Sequence, residues 1–382
     1  MIKIITIVGT RPEIIRLSCL IKELEKFTNH ILIHTGQNYD KNLSDIFFED
    51  LDLNVPNYYL DIKNNRMGQF IGDCLIKIET ILLDEKPDAI IILGDTNSAY
   101  TAIIAARMKI PVYHLEAGNR SFDENVPEEI NRRIIDHAST FNLVYTETAR
   151  TNLLREGLPS RRIHLIGSPL NEVINSITYK VNQSQILKRL SLKKDNFIVV
   201  SIHREENTDS EKSCYKLINL LKVIYKHFNL RIIISFHPRL KDRFEKMQLS
   251  TEIEGINFMS PFCFSEYLAL QKNAFCVISD SGSISEEAAI LRFPAITIRN
   301  SLERPEALEA GVISISSFEE REILASISLA RNMINYENKS SFIPQEYLIN
   351  NSSSRCLNII LSTFHLYKKW LGLEEYSQYD WQ

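Results

Sequence analysis

The run Ala89-Ile90-Ile91-Ile92-Leu93, followed by Gly94-Asp95-Thr96, decides the fold of this chain. Five apolar residues stand in a row, and three of them are β-branched. A half-exposed strand would alternate apolar with polar, whereas a short unbroken run suits a parallel strand covered on both faces. Working outward, Lys3–Val8 (KIITIV), Ile31–His34, Val112–Leu115 and Leu143–Tyr145 repeat the theme. Helical patterns over Pro12–Phe27, Asn97–Arg107 and Glu128–Ser139 lie between them, the first with proline near its start. This βαβ rhythm predicts a doubly wound α/β domain over residues 1–170.

The rhythm then restarts. Phe197–Ile202, Arg231–Phe236, Phe275–Ser279 and Ala295–Ile298 read as strands, and 210–226, 264–272, 284–291 and 318–332 as helices. Gly167–Lys194 reads as the connection, carrying one helical pattern. Ser353–Leu371 reads as a closing amphipathic helix. No internal repeat or low-complexity tract is visible. A length of 382 residues suits two domains of ordinary size.

Composition narrows the function. The net charge of -4 provides no global basic field for nucleic acid. No apolar run approaches the ~18 residues that span a bilayer. Met1–Val8 is too short for the apolar core of an export signal, so a soluble, cytoplasmic protein is expected. Cys19, Cys74, Cys214, Cys263, Cys276 and Cys356 are scattered, with no CxxC pair and no neighbouring histidine cluster. They are expected to be reduced and mostly buried, with neither a zinc site nor a disulfide framework.

Polar residues just beyond strand ends carry the candidate chemistry, because open α/β sheets bind ligands there. Gly9-Thr10-Arg11-Pro12-Glu13 follows the first strand. Its single glycine is not the G-x-G-x-x-G of nicotinamide enzymes. Arg11 and Arg16 offer cations to a phosphate or a sugar, or they are solvated side chains at a plain turn. Asp95 reads as a cleft carboxylate or as a helix cap. Glu116, in Glu116-Ala117-Gly118-Asn119-Arg120, trails an apolar strand. Glu128, in Pro127-Glu128-Glu129-Ile130-Asn131-Arg132, reads as an active acid or as a first-turn acid that complements the helix dipole. A cluster of Asp95, Glu116 and Glu128 could supply both an acid and a base.

In the second half, His203 ends a strand, within His203-Arg204-Glu205-Glu206-Asn207. Asp280-Ser281-Gly282-Ser283 opens a helix whose backbone amides could approach a diphosphate, or merely caps it. Glu287 lies one turn inside and could hold ribose hydroxyls. His237-Pro238-Arg239 is a weaker signal of the same kind.

In this order GTRPE, GDTNS, EAGNR, PEEINR, HREEN, DSGSISEEA and ERPEAL resemble the non-hydrolysing bacterial UDP-N-acetylglucosamine 2-epimerases over essentially the whole chain. The resemblance implies two Rossmann-like domains of GT-B architecture: 1–170 plus a returning helix 353–382, and a UDP-binding domain 171–352. It implies a homodimer that needs no metal or nicotinamide cofactor. Carried over by motif, Asp95, Glu116 and Glu128 are the catalytic carboxylates, with Arg132 close by. His203 is expected near the departing phosphate. Arg11, Ser281, Gly282 and Glu287 are expected on UDP, with Arg16 and Ser283 beside them. The sequence departs from the commonest family pattern at Asn119 with Ser121, at Arg16-Leu17, at Ser283, and along His34-Thr35-Gly36-Gln37-Asn38-Tyr39-Asp40. These departures resemble a subgroup that forms UDP-N-acetyl-L-fucosamine from a 6-deoxy-L-talose precursor. Such enzymes serve bacterial surface polysaccharides.

Chemistry constrains the route. The C2 proton of an acetamido sugar has no adjacent carbonyl, and no dinucleotide fingerprint is present to supply an oxidation. Elimination of UDP to a glycal, followed by re-addition, remains. It needs acid/base groups on both faces and support for the departing diphosphate. The rivals are a GT-B glycosyltransferase with a UDP-sugar donor, a hydrolysing epimerase and a silent nucleotide-sugar sensor.

Overall fold

The computed structural model describes residues 1–37, 41–62, 66–208, 210–299, 301–335 and 343–373. Asn38, Tyr39 and Asp40 of the run quoted above, and residues 374–382 of the expected last helix, lie outside them. The chain forms two compact units, Met1–Ser176 with Glu346–Gln382, and Ile177–Gln345.

The first unit is built on a seven-stranded sheet of β1 (Lys3–Val8), β2 (Asn29–His34), β3 (Tyr58–Tyr59), β4 (Ala89–Leu93), β5 (Val112–Leu115), β6 (Phe141–Val144) and β7 (Ile163–Leu165). Its order is β3-β2-β1-β4-β5-β6-β7, and every pairing is parallel. Ile5, Ile7, Ile90 and Ile92 share one core with Cys74, Ile78 and Leu82 of the Met67–Glu85 helix. Ile4, Ile91 and Leu93, on the opposite face, are equally buried. That is why β4 reads as a continuous apolar run. Each such side chain contributes roughly 1.5–3 kcal/mol of burial.

The second unit repeats the plan with β8 (Phe197–Ser201), β9 (Arg231–Ser235), β10 (Ile256–Met259), β11 (Cys276–Ser279), β12 (Ala295–Ile298) and β13 (Ser314–Ser316). Its order is β10-β9-β8-β11-β12-β13, again all parallel. Both units are thus Rossmann-like, and the chain has the two-unit α/β organisation of the GT-B class. Strand order reverses between β1 and β4 in one sheet and between β8 and β11 in the other. The crevice beyond the strand ends at such a reversal is where ligands bind in this fold.

The structure departs from the sequence reading at several elements besides adding the short strands β3, β7, β10 and β13. β6 spans Phe141–Val144 rather than Leu143–Tyr145. Asn142 breaks the apolar run, but it is buried and its Nδ2 donates to the Asp136 carbonyl at 3.0 Å. The Asn97–Arg107 helix is a 3-10 turn over Asn97–Tyr100 and an α-helix over Thr101–Arg107. The connection carries three helices, Leu170–Ser176, Thr178–Gln183 and Ile186–Arg189, rather than one. The closing helix is split into Ser352–Thr363 and Tyr367–Leu371. It is tied to the first sheet where the Tyr113 hydroxyl meets Thr363 Oγ1 at 2.7 Å and where the Tyr367 hydroxyl bonds the Lys109 carbonyl. Among the described residues, no helix is long and apolar enough to cross a membrane.

Candidate active site

In the first unit the site grows from the ends of β1, β4 and β5. Gly9 leaves β1 in a space no side chain could share: a Cβ there would lie 2.1 Å from Ser98 Oγ and 2.5 Å from Thr35 Oγ1. The Arg11–Phe27 helix then starts with a capping box between Thr10 and Glu13. Glu13 is 1% exposed. Its Oε2 accepts from Gly9 N at 2.9 Å, Thr10 N at 2.6 Å and Thr10 Oγ1 at 2.8 Å, while Oε1 accepts from Thr96 Oγ1 at 2.9 Å. Burial still pushes its carboxyl up to about 7, against the pull of those bonds. Arg11 lies with its guanidinium carbon 5.6 Å from the Phe47 ring centre.

Asp95 follows β4. Its carboxylate is taken by Arg132, with Nε 2.7 Å and Nη2 2.6 Å from Oδ2, and does not cap a helix. Asn131 Nδ2 holds the Asp95 carbonyl at 2.7 Å. Arg132 and Asn131 lie on the Pro127–Ala138 helix, as does Glu128. Glu128 is half-buried and makes no hydrogen bond or ion pair with the described residues. Its neighbour Glu129 does the structural work at that helix start: it is 1% exposed and accepts from Ser121 N at 2.9 Å, Ser121 Oγ at 3.1 Å, Arg132 Nη1 at 3.3 Å and Arg133 Nη2 at 3.1 Å. Those bonds hold the Glu129 carboxyl below the usual range, although burial alone would raise it.

Glu116 follows β5, adjacent to β4 through the Leu93–Leu115 pair. Its φ of +66 is in the left-handed region, an uncommon and strained place for glutamate. Arg16, buried on the Arg11–Phe27 helix, reaches Glu116 Oε2 with Nε at 3.4 Å and lies over the Tyr145 ring at 5.6 Å. The sequence reading expected Arg16 beside a phosphate or sugar; here it meets a carboxylate. The left-handed turn wraps around Asp136, which is fully buried. Asp136 lies 2.9 Å from His114 Nδ1 and 2.8 Å from Arg120 Nη1, and accepts from Gly118 N at 3.2 Å. Burial opposes its ionisation, but His114 and Arg120 keep it below the ordinary carboxylate value. Arg120 is anchored in turn by Glu156 at 2.7 and 2.8 Å.

In the second unit the matching reversal brings the end of β8 beside the end of β11. Asp280 is fully buried and accepts from the backbone of His203 at 3.0 Å and of Arg204 at 2.9 Å, and from Asn207 Nδ2 at 3.0 Å. It also stands 3.1 Å from His203 Nδ1. A carboxylate on Nδ1 fixes the ring's tautomer. The His237 ring lies 5.4 Å from that of His203, at 31°. Ser281 Oγ and Ser283 Oγ are 3.0 Å apart, and Ser281 Oγ accepts from Ser283 N at 3.4 Å. Ser283 begins the Ile284–Leu291 helix without a side-chain cap bond, and Ser281 N donates to Ser279 Oγ at 3.1 Å. Arg304 Nη1 holds the Gly282 carbonyl at 2.7 Å and Glu286 at 2.8 Å. Glu287, 5% exposed, accepts from Gln271 Nε2 at 2.6 Å. The side chains of Glu205, Glu206 and Arg239 lie outside the description.

Glu13, Asp280 and Asp136 have evident roles but carried no assignment in the sequence reading. Glu13 was signalled by the Thr-x-x-Glu spacing of a capping box, and Asp280 by its place directly after a strand. Asp136 gave no signal, because its partners come from a loop far off in sequence. All six cysteines are free, and Cys74, Cys214, Cys276 and Cys356 are buried. Among the described residues, no group of three or more His, Cys, Asp or Glu side chains is arranged to hold a metal ion.

Residues 22–361 match the family model of UDP-N-acetylglucosamine 2-epimerase. The chain is 38% identical over 340 residues to the UDP-N-acetylglucosamine 2-epimerase of Methanocaldococcus jannaschii, covering 86% of this chain and 92% of that protein. The structure of UDP-N-acetylglucosamine 2-epimerase from Rickettsia bellii superposes with a TM-score of 0.89 at 40% identity, covering 98% of this chain and all of that one (100%). The crystal structure of the Methanocaldococcus jannaschii enzyme in complex with UDP-GlcNAc and UDP does so with a TM-score of 0.88 at 35% identity, covering 94% of this chain and 100% of that one.

Proposed function

We propose, from the premise that this chain belongs to the UDP-N-acetylglucosamine 2-epimerase family, that it inverts C2 of a UDP-linked 2-acetamido sugar without hydrolysing it. It is an isomerase. Its substrate is of the UDP-GlcNAc/UDP-ManNAc type or the 6-deoxy-L-talose/L-fucosamine counterpart. One observation carries the reading: Asp95 and Glu116 leave adjacent strands, each paired to a buried arginine, while Glu128, on the helix that supplies one of those arginines, makes no hydrogen bond or ion pair with the described residues.

The reaction balances without an oxidant. A carboxylate takes the C2 proton, the C1–O bond to UDP breaks with its electrons, and a 2-acetamidoglucal forms. The UDP oxygen then adds back to C1 while C2 receives a proton on its other face. Two faces need two acid/base groups. Asp95 and Glu116, each held in place by a buried arginine, are the candidates for proton acceptance. Glu128, which makes no hydrogen bond or ion pair with the described residues, is the candidate proton donor. In the second unit, the Asp280-held His203 offers its imidazole to the departing diphosphate, and the Ser281-Gly282-Ser283 turn at the start of the Ile284–Leu291 helix receives it. Glu287 takes the ribose. Arg11 supplies a further cation to the UDP-sugar. The route uses neither a metal nor a nicotinamide, and the enzyme acts as a cytoplasmic homodimer feeding bacterial surface polysaccharide synthesis.

The test is incubation in deuterium oxide with UDP-GlcNAc and, separately, the UDP-6-deoxy-L-talose derivative, followed by NMR. The expected result is deuterium at C2 with formation of the C2 epimer and no acceptor present. Release of free sugar as the sole product, or no exchange at C2 with either compound, overturns the reading.

A further inference from the structure

We propose that Glu13 is a positioning residue for this reaction, locking the β1 and β4 loops together so that Asp95 stands at a fixed place relative to the Arg11–Phe27 helix. The inference rests on the assignment of Asp95 made above. Capping that helix requires only the bonds from the Thr10 backbone and hydroxyl. Glu13 does more: Oε1 reaches Thr96 Oγ1, 83 residues along the chain, at 2.9 Å. Thr96 is the residue next to Asp95. Asp95 is thereby gripped from two helices, its neighbour by Glu13 and its own carboxylate and carbonyl by Arg132 and Asn131.

The same helix also governs the second carboxylate. Arg16 follows Glu13 by three residues and meets Glu116 at 3.4 Å. One rigid segment is thus the reference for both ends of the pair. Glu13 itself is 1% exposed, so it is screened from substrate and acts through Thr96. A misplacement of about 1 Å in a reacting group costs on the order of 10²-fold in rate, which is why a buried bond outside the chemistry controls turnover.

The experiment uses the full chain with Glu13→Gln, Glu13→Ala, Thr96→Val, the Glu13→Ala/Thr96→Val double variant and Asp95→Asn, assayed with both UDP-sugars above. Glutamine can accept from Gly9 and Thr10 and donate to the Thr96 hydroxyl. Glu13→Gln is therefore expected to rescue kcat to within about threefold of the parent. Glu13→Ala and Thr96→Val are expected to lose about 10- to 100-fold in kcat with KM moved less than about threefold. Thr96→Val should fold but melt somewhat below the parent, because buried Glu13 Oε1 loses a donor, and the double variant should be no slower than the slower single variant. A merely structural Glu13 would lower melting and leave kcat of the folded enzyme alone. Parent-like kcat in Thr96→Val overturns the proposal, also where Glu13→Ala fails to fold. Losses that multiply in the double variant overturn it as well. Full turnover by Asp95→Asn would instead show that the assignment of Asp95 is wrong, and the proposal falls with it.

Discussion

Arg132 meets Asp95 with two nitrogens on one oxygen, Nε at 2.7 Å and Nη2 at 2.6 Å, and gives its third nitrogen to Glu129 at 3.3 Å. One guanidinium therefore joins a strand-end carboxylate to a helix-start carboxylate. Lysine has the charge but not the fork. Arg132→Lys is expected to lower kcat at least tenfold and to destabilise the chain by about 1–3 kcal/mol, since one of the two carboxylates loses its donor. Thermal melting and initial rates check both.

Glu128 and Glu129 are adjacent glutamates with opposite duties. Glu128→Gln should melt like the parent and lose about 10²–10⁴-fold in turnover, the range for a lost acid/base group. Glu129→Gln should lose about 1–3 kcal/mol of stability, because its amide meets the donors of Ser121, Arg132 and Arg133. If Glu128→Gln turned over normally while remaining folded, its place in the mechanism would be lost.

Asp280 orients His203 through Nδ1 at 3.1 Å. In Asp280→Asn the amide can no longer hold that tautomer and also accept from His203 N, Arg204 N and Asn207. A kcat loss of about 10²-fold is expected, because the ring is no longer held in that tautomer and orientation. A parent kcat in this variant would leave Asp280 as a loop anchor only.

Glu287 is buried against Gln271 at 2.6 Å. Glu287→Ala should weaken UDP binding about tenfold, near 1.4 kcal/mol, and alter the chemical step less. Calorimetric titration with UDP reads this directly, and an unchanged affinity counts against a ribose contact.

Glu13 makes a statement about pH. Its carboxyl is raised from 4.5 to about 7 by burial, so the folded chain keeps this proton to higher pH than the unfolded chain does. The stability it contributes is complete below pH 4.5 and is lost as pH rises to about 7. The gap amounts to about 3 kcal/mol. Glu13→Gln does not titrate and should flatten that slope. Urea denaturation of both proteins at about pH 5 and about pH 7.5 tests it, and an equal pH slope in both would refute it.

The isoleucine runs of β4 and β9 made two α/β sheets legible, because a strand covered on both faces needs no polar alternation. The short strands β3, β7, β10 and β13 escaped notice: two to four residues are too few to establish a period. Asn142 hid the start of β6, since its side-chain amide donates to the Asp136 carbonyl in the fold and looks merely polar in the sequence.

By itself, then, the sequence determined the strand-end positions of Asp95, Glu116, His203 and Ser281, because the order of strands and turns is a local property of the chain. It also placed Glu128 and Glu129 together at a helix start without separating them. Tertiary structure decided between the two: Ser121, Arg132 and Arg133 close on Glu129, while Glu128 has no hydrogen bond or ion pair with the described residues. It likewise gave Arg16 to Glu116, Asp136 to the turn beneath Glu116, and Thr96 to Glu13. Those pairings join residues 18 to 100 positions apart. Their energies depend on distance and burial, which local periodicity does not encode.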